Sequence, residues 1–513
     1  MAYKGQTYQI LGSEIGFQHS FNLDSMPPTA AVMPSKNINL HRGGVSKRGG
    51  TEHINTTALS GTPKITGIHD FWMRGGTHYI VFTTSDGKVW KNTTDTIKTG
   101  WTTDKYTSAI VADDKLYICN GGAAPATWDG TTWTTMTNVH TDWATVGYPQ
   151  QFILHGLGNQ QRLWAVGFTN GGVYYSENGA LDDFTTTGIY INTGDGFGTV
   201  GAVEFGDRLI VFGKTQSFII DDTDGTPSNW GYQAAQWYGG VAHWRLLIRT
   251  PNDIIAMMED GEIYSVIVAE NYGDYKAASI TRPSWIHNYI EEYIDLTKIN
   301  LFHGLYDPVL RAVRIWMVRK GESDPDQCLM YFIDRTPDKA WVIHDNLNYD
   351  SGYKAHASGV VRTAQGAYTI YTGDEEGFLW KLEQADQSDN GEAYYAGIRT
   401  ANITMDNPRV TKMLNRLRVV TQPEGNYNLS YSIFVDGSLH SSGTILLTGV
   451  GGTLGSFILG TDVLGGMSLI DTGVIVGAIG KRFQIELYNS NANQDFFISQ
   501  VLLDFKPMGA KNE

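Results

Sequence analysis

The chain has 513 residues, 41% hydrophobic and 12% aromatic, with 59 glycines and a formal net charge of −15. That length exceeds one compact core, so more than one domain is expected, and the near absence of charged helix-favouring stretches excludes a helical or doubly wound fold. The acidic balance disfavours tight non-specific nucleic-acid binding, because each phosphate contact must replace a condensed counterion with Lys or Arg.

In chain order, residues 1–60 lack any hairpin rhythm and read as an extended N-terminal arm. The opening Met1-Ala-Tyr-Lys-Gly-Gln6 is polar and carries no signal-peptide apolar region. In Phe21-Asn-Leu-Asp-Ser-Met-Pro27-Pro28-Thr29 the paired prolines forbid a helix and favour an extended path. Asn37-Ile-Asn-Leu40 and the segment at Val45 read as short strands around Gly43-Gly44. Arg42, Lys47 and Arg48 supply a small basic group, read either as partner contacts or as a solvated turn.

From residue 61 to 383 a hydrophobic hairpin recurs. The copies are Tyr79-Ile-Val-Phe82 with Val89-Trp90, Leu116-Tyr-Ile-Cys119 with Trp128, and Leu163-Trp-Ala-Val166 with Val173-Tyr-Tyr175. Leu209-Ile-Val-Phe212 with Phe218-Ile-Ile220, and Ile254-Ile-Ala-Met257 with Ile263-Tyr264, follow. The last are Val313-Arg-Ile-Trp-Met-Val318 with Leu329-Met-Tyr-Phe-Ile333, and Tyr368-Thr-Ile-Tyr371 with Phe378-Leu-Trp380. Each joins two β-branched or aromatic runs, most through a turn rich in Gly, Asn or Asp, residues that tolerate the positive φ of tight hairpins. A lone hairpin cannot bury its apolar face, so hairpins in series predict radial stacking, a β-propeller of six or seven blades. One helix interrupts it: Pro283 opens a first turn, and Ile286, Ile290, Tyr293 and Ile294 share a face.

Gln384-Ala-Asp-Gln-Ser-Asp-Asn-Gly391 reads as a linker. Residues 392–513 then alternate cleanly in Tyr427-Asn-Leu-Ser-Tyr-Ser-Ile-Phe-Val435 and Phe483-Gln-Ile-Glu-Leu-Tyr488, predicting an antiparallel β-sandwich. Within it, 437–480 is glycine-rich and reads as an extended loop or hairpin that orders against a neighbour. The class expected is therefore all-β. No apolar run approaches the roughly 20 residues that span a bilayer.

Chemical motifs are weak. Gly196-Phe-Gly-Thr-Val-Gly201 has dinucleotide-loop spacing, but strands rather than a helix follow, so it reads as a turn. Gly213-Lys-Thr215 lacks the leading glycine of a phosphate loop. Thr84-Ser-Asp-Gly-Lys-Val-Trp90 and Ser176-Glu-Asn-Gly179 are similar to the Asp-box turns of sialidase propellers, in which the carboxylate caps its own hairpin. Asp374, Glu375 and Glu376 form the densest acidic cluster and read as a solvated hairpin tip rather than a catalytic pair. Cys119 and Cys328 lie in apolar runs and read as reduced core thiols. The thirteen histidines show no metal-ligand spacing. No catalytic residue, cofactor or metal is expected, and the chain reads as not an enzyme.

Four segments together resemble the tail nozzle proteins of short-tailed bacteriophages, also called tail stabilisation or tail tube B proteins. They are Pro27-Pro-Thr29 through Asn37-Ile-Asn-Leu40 to Gly43-Gly-Val-Ser-Lys-Arg-Gly-Gly50, with Gly49 where the family pattern has proline, and Gly201 to Ile220. The third is Ala278-Ser-Ile-Thr281, Tyr289-Ile-Glu-Glu-Tyr-Ile294, His303-Gly-Leu-Tyr-Asp-Pro308 and Val313-Arg-Ile-Trp316. The fourth is Met405-Asp-Asn-Pro-Arg-Val410, Leu417-Arg-Val-Val420 and Phe497-Ile-Ser-Gln-Val-Leu-Leu-Asp-Phe505. The resemblance implies a homo-oligomer, a hexameric ring below the portal and head-to-tail adaptor, meeting tail fibre, spike or needle proteins. It implies a virion tail protein made in the host bacterial cytoplasm, with genomic DNA passing through its channel without tight binding. The alternatives are a phage receptor-binding or baseplate-hub protein, or a propeller glycoside hydrolase or lectin acting on surface glycans. Deleting 1–40 is expected to leave the propeller folded while preventing assembly.

Overall fold

The computed structural model describes residues 5–508 except 21, 41–42, 94, 157–159, 186–187, 225, 274–275, 277, 346–353, 406, 423–426 and 448–468. Six strands come first: β1 (Gln6–Leu11), β2 (Gly16–Phe17), β3 (Ala30–Lys36), β4 (Ile38–Asn39), β5 (Val45–Lys47) and β6 (Gly50–His53). Seven small sheets then follow in series, and each hairpin named above belongs to one.

Blade 1 is β7 (Ile65–Trp72), β8 (His78–Thr84), β9 (Val89–Lys91) and β10 (Asp95–Lys98). Blade 2 is β11 (Ser108–Ala112), β12 (Lys115–Cys119), β13 (Ala126–Trp128) and β14 (Trp133–Thr135). After a single turn, α1 (Trp143–Val146), blade 3 is β15 (Gln151–His155), β16 (Arg162–Val166), β17 (Gly172–Tyr175) and β18 (Ile189–Tyr190). Blade 4 is β19 (Gly201–Phe205), β20 (Arg208–Phe212), β21 (Ser217–Asp221) and β22 (Gly231–Ala234). Blade 5 has three strands, β23 (Leu247–Arg249), β24 (Ile254–Met257) and β25 (Ile263–Ser265), followed by helices α2 (Val266–Tyr272) and α3 (Ile286–Tyr293). Blade 6 is β26 (His303–Asp307), β27 (Ala312–Met317), β28 (Gln327–Phe332) and β29 (Trp341–Asp345). Blade 7 is β30 (Ala357–Arg362), β31 (Tyr368–Gly373) and β32 (Leu379–Gln384), and β6 supplies its fourth strand, pairing antiparallel with Trp380 opposite His53. The first strands of successive blades lie side by side, and β30 closes the ring against β7. The architecture is a seven-bladed β-propeller.

Local chemistry explains the turns. Gly87 sits at φ 75° in the β8–β9 turn, and a Cβ there would come 2.2 Å from the Trp101 carbonyl oxygen. Only glycine meets both demands. The predicted helix is α3, which starts three residues beyond Pro283 and buries Ile286, Tyr289 and Ile290 against blades 5 and 6. Gly196–Gly201 is a turn leading into β19, as its following residues require. Cys119 and Cys328 are buried free thiols, and burial pushes the Cys328 thiol up to about 12.

The last strands are β33 (Ala396–Thr400), β34 (Lys412–Thr421), β35 (Asn428–Val435), β36 (Ser438–Leu446), β37 (Ile470–Gly480), β38 (Phe483–Asn489) and β39 (Phe497–Pro507). They form two six-stranded sheets packed as a sandwich. One runs β37-β34-β39-β5-β4, with β1 also on β39; the other runs β2-β3-β33-β38-β35-β36. The alternation in 427–435 and 483–488 puts Leu429, Ile433, Phe483, Ile485 and Leu487 into the core.

The structure revises three sequence expectations. Residues 1–60 are not a free arm: β1 to β5 belong to the sandwich sheets, and β6 completes a blade. β4 and β5 pair with each other around Gly43-Gly44 as expected, but β1, β3, β5 and β6 also take partners hundreds of residues away, β39, β33, β39 and β32. The stretch 384–391 is not a solvated linker, since Ser388 and Asp389 are buried and Asp389 bridges to Thr51. The glycine-rich 437–480 begins and ends in long strands, β36 and β37, and its centre, 448–468, lies outside the described residues.

Propeller and sandwich share one apolar cluster, in which Trp316, Met330, Ile370 and Trp380 of blades 6 and 7 pack with Ile38, Val45, Ile398, Leu417 and Ile498. At this seam the Asn37 N–H donates to the Ile343 carbonyl (2.8 Å), and Ile38 O lies 2.9 Å from His344 Nε2.

Candidate functional site

Two polar assemblies stand out, one at the seam and one on the propeller axis. The seam holds the predicted partner contacts. Lys47 and Arg48 are 3% and 4% exposed, so neither is available to a partner. Arg48 Nη1 and Nη2 donate to the two Asp389 oxygens (2.8 and 2.6 Å), Nε donates to Asn37 Oδ1 (3.1 Å), and the guanidinium lies 3.9 Å from the Tyr394 ring centroid. Burial opposes the charge on Arg48, and the Asp389 carboxylate more than offsets it, holding the pKa above its usual value. Lys47 Nζ donates to Asn489 Oδ1 (3.2 Å) and the Asn491 carbonyl (2.7 Å), and burial pulls its pKa down to about 8. Arg42 lies outside the described residues. Beside this group Arg314, also buried, donates to Asp307 (2.9 Å) and Glu383 (2.7 Å). Burial raises the Glu383 pKa, but Arg314 and His344 outweigh it and hold the carboxyl at about 2. Buried cations facing engaged carboxylates, Arg48 on Asp389 and Arg314 on Asp307 and Glu383, form a fastening.

The acidic cluster is also structural. Asp374 is 2% exposed; its Oδ1 accepts from the Glu376 and Phe378 N–H groups and its Oδ2 from Trp380 Nε1 (2.8 Å). The carboxylate caps its own hairpin, but in a buried setting rather than the solvated tip expected. Glu375 accepts from the Lys354 N–H (2.7 Å), and burial pushes its pKa up to about 7. A carboxyl with a raised folded pKa stabilises the fold below its unfolded value, near 4.5, and that stability is lost as pH rises through 7. Glu375→Gln is therefore expected to be more stable than the parent at pH 8, by about 1–2 kcal/mol after solvent screening, and nearly equal at pH 4. Urea midpoints at both pH values check this; a variant weaker at pH 8 contradicts it.

On the axis, the first strands of the blades converge on a cavity of about 230 Å³, lined among others by Thr66, Thr107, Ser108, Gln151, Arg245, His303 and Ser358. Thr66 and Thr107 hydroxyls each lie 2.9 Å from Thr83 Oγ1, and His69 Nε2 lies 2.9 Å from Thr107 Oγ1. The Arg245 Nη2 donates to the His356 carbonyl (2.5 Å), and the guanidinium stacks 3.6 Å from the Tyr106 centroid. His356 Nε2 is 3.0 Å from Asp324, which also pairs with Lys64 at 2.7 Å. His303 stacks on Trp316 at 4.9 Å. Burial pulls His69 down to about 4 and His243 to about 3, and it lowers His303 and His356 as well, with Arg245 adding to the effect on all but His69. These imidazoles are therefore neutral at pH 7. Among the described residues no group of three His, Cys, Asp or Glu side chains could hold a metal ion.

Sequence reasoning missed this site because its histidines and Arg245 are far apart in the chain. The available signal was positional: His69, His303 and His356 each sit within or next to the first strand of a blade, and His243 and Arg245 just before one.

The fold and these two assemblies define a seven-bladed propeller fastened to a β-sandwich. No family model matches the chain, and no curated protein matches it. Among solved structures it is similar to BBS1N in complex with ARL6DN, at 10% identity over 66% of this chain and 97% of that one, with a TM-score of 0.42. It is similar also to YCF48 from Cyanidioschyzon merolae, at 12% identity over 65% and 98% with a TM-score of 0.38. A third is a putative gluconolactonase, at 9% identity over 66% and 92% with a TM-score of 0.31. At such identities and scores these likenesses carry nothing about function.

Proposed function

We propose that the chain is a structural subunit of a short-tailed bacteriophage tail, a nozzle protein that assembles as a six-membered ring beneath the portal and adaptor and lets the genome through. One observation carries this reading. The sandwich ends in two edge strands, β36 and β37, that lie against each other and present Leu439 (58% exposed), Leu446 (50%), Ile475 (87%) and Ile479 (52%) to solvent. Long edge strands with apolar side chains pair with other chains unless covered. A head-to-tail contact through such an edge closes into a ring when the rotation permits.

The net charge of −15 supports a conduit that does not hold DNA. Tail fibre, spike or needle proteins are its further partners in this reading, and the virion tail is its location. A glycan hydrolase would place paired carboxylates where substrate binds; the residues lining the axial cavity include no Asp or Glu. The chain is therefore proposed to be non-enzymatic.

Native mass spectrometry over a concentration series, alone and with the adaptor, is expected to show ring-sized particles. Ile475→Asp combined with Leu439→Asp should leave monomers with an unchanged melting temperature. A parent protein that stays monomeric in every condition would sink the proposal.

A further inference from the structure

We propose that the axial cavity is a binding site for a small oxyanion, a molecule presenting a phosphate or carboxylate group, with Arg245 as its anchor. Among the arginines set deep in the fold, Arg48 and Arg314 are each answered by a carboxylate within hydrogen-bonding distance. Arg245 is 8% exposed and forms no ion pair among the described residues. Its Nη2 is used on the His356 carbonyl, but its Nη1 has no hydrogen-bond partner. Leaving a buried charged donor unsatisfied costs more than most single contacts return. Arg245 also lines a cavity several times the volume that one water occupies, so an anion entering it meets this side chain.

The surroundings fit an anion and not a cation. Thr66, Thr107, Ser108 and Ser358 offer hydroxyls, which can donate, and the lining contains no carboxylate to repel a negative charge. Asp324, the nearby acid, is engaged by His356 and Lys64. The neutral imidazoles of His69 and His303 can each donate one N–H. A guanidinium without a counter-ion attracts the oxygens of a carboxylate or phosphate through charge-assisted hydrogen bonds. Tyr106 beneath the guanidinium holds its plane, so little rotamer entropy is lost on binding.

The test is independent of ring formation. Inorganic phosphate and acetate are titrated separately into the full-length protein by calorimetry, with chloride at matched ionic strength as the reference. One site per chain is expected for at least one probe, and which probe binds more tightly tells phosphate from carboxylate. Arg245→Gln should weaken binding by about tenfold or more, the loss of a charge-assisted hydrogen bond. Ser358→Leu, which fills the cavity without touching the charge, should also abolish binding and guards against a misfolded Arg245 variant. Absence of saturable binding of both probes at millimolar concentration, or equal affinity in the parent and a folded Arg245→Gln, overturns the proposal.

Discussion

Replacing Arg48 with methionine is expected to lower the folding free energy by about 3–5 kcal/mol, the cost of leaving one half of a buried ion pair unanswered. Asp389 is 1% exposed, and in the parent it receives both Arg48 nitrogens and the Thr51 hydroxyl (3.1 Å). Without Arg48 it keeps the hydroxyl and loses its counter-charge. The same change frees Asn37 Oδ1 and strips the cation from the Tyr394 face. Because the site joins β5–β6 to the segment after blade 7, loosening should spread to both propeller and sandwich. The double variant Arg48→Met/Asp389→Leu should recover much of the loss, since replacing both partners with apolar side chains removes the desolvation penalty. Denaturant midpoints of the single and double variants decide it. A single variant costing less than about 1 kcal/mol, the range of an exposed pair, would mean that the seam is not held by this contact.

A larger loss is expected from removing residues 1–54. That deletion takes β6 from blade 7, leaving the outer edge of β32 unpaired and removing His53 from its stack on Phe378 at 4.4 Å. It also strips the sandwich of β1 to β5 and of the buried Ile10, Ile15, Phe17, Val32, Ile38, Leu40 and Val45. At about 1.5–3 kcal/mol for each large apolar side chain, the loss rivals the whole stability of a domain. Deletion of 1–40 spares β6 but not the sandwich, so it too is expected to give an aggregating product rather than a folded propeller. Limited proteolysis and near-ultraviolet circular dichroism of both truncations check this. A soluble 41–513 chain with the parent's midpoint would restore the view that the segment is an accessory.

The propeller was legible because each middle hairpin holds its own pattern: Tyr79–Trp90 or Tyr368–Trp380 can be read without knowing any other part of the chain. The sandwich strands at 427–435 and 483–488 were legible for the same reason. The strand that completes the seventh blade, β6, was not legible: it is four residues whose partner is 327 or more positions away, as Trp380 and His53 show. Lys47 and Arg48 looked like surface residues because such side chains are almost never buried unless paired, and the pair for Arg48 is Asp389, 341 residues on. Arg245 escaped notice because a cavity is made by convergence, and no single segment contains it.

The sandwich begins before the propeller and ends after it, with the Thr7 hydroxyl bonded to Asp504 across 497 positions. On a ribosome adding about 5–20 residues each second, β39 therefore follows β1 by roughly 25–100 seconds. During that interval the seven blades can stack as they emerge, since β6 is already made, while the segment carrying Ile10 and Ile38 waits for its sandwich partners with apolar faces wet. The sandwich strands made before the propeller are thus among the last to find their places, and the interval is one in which the nascent chain exposes apolar surface to mispairing.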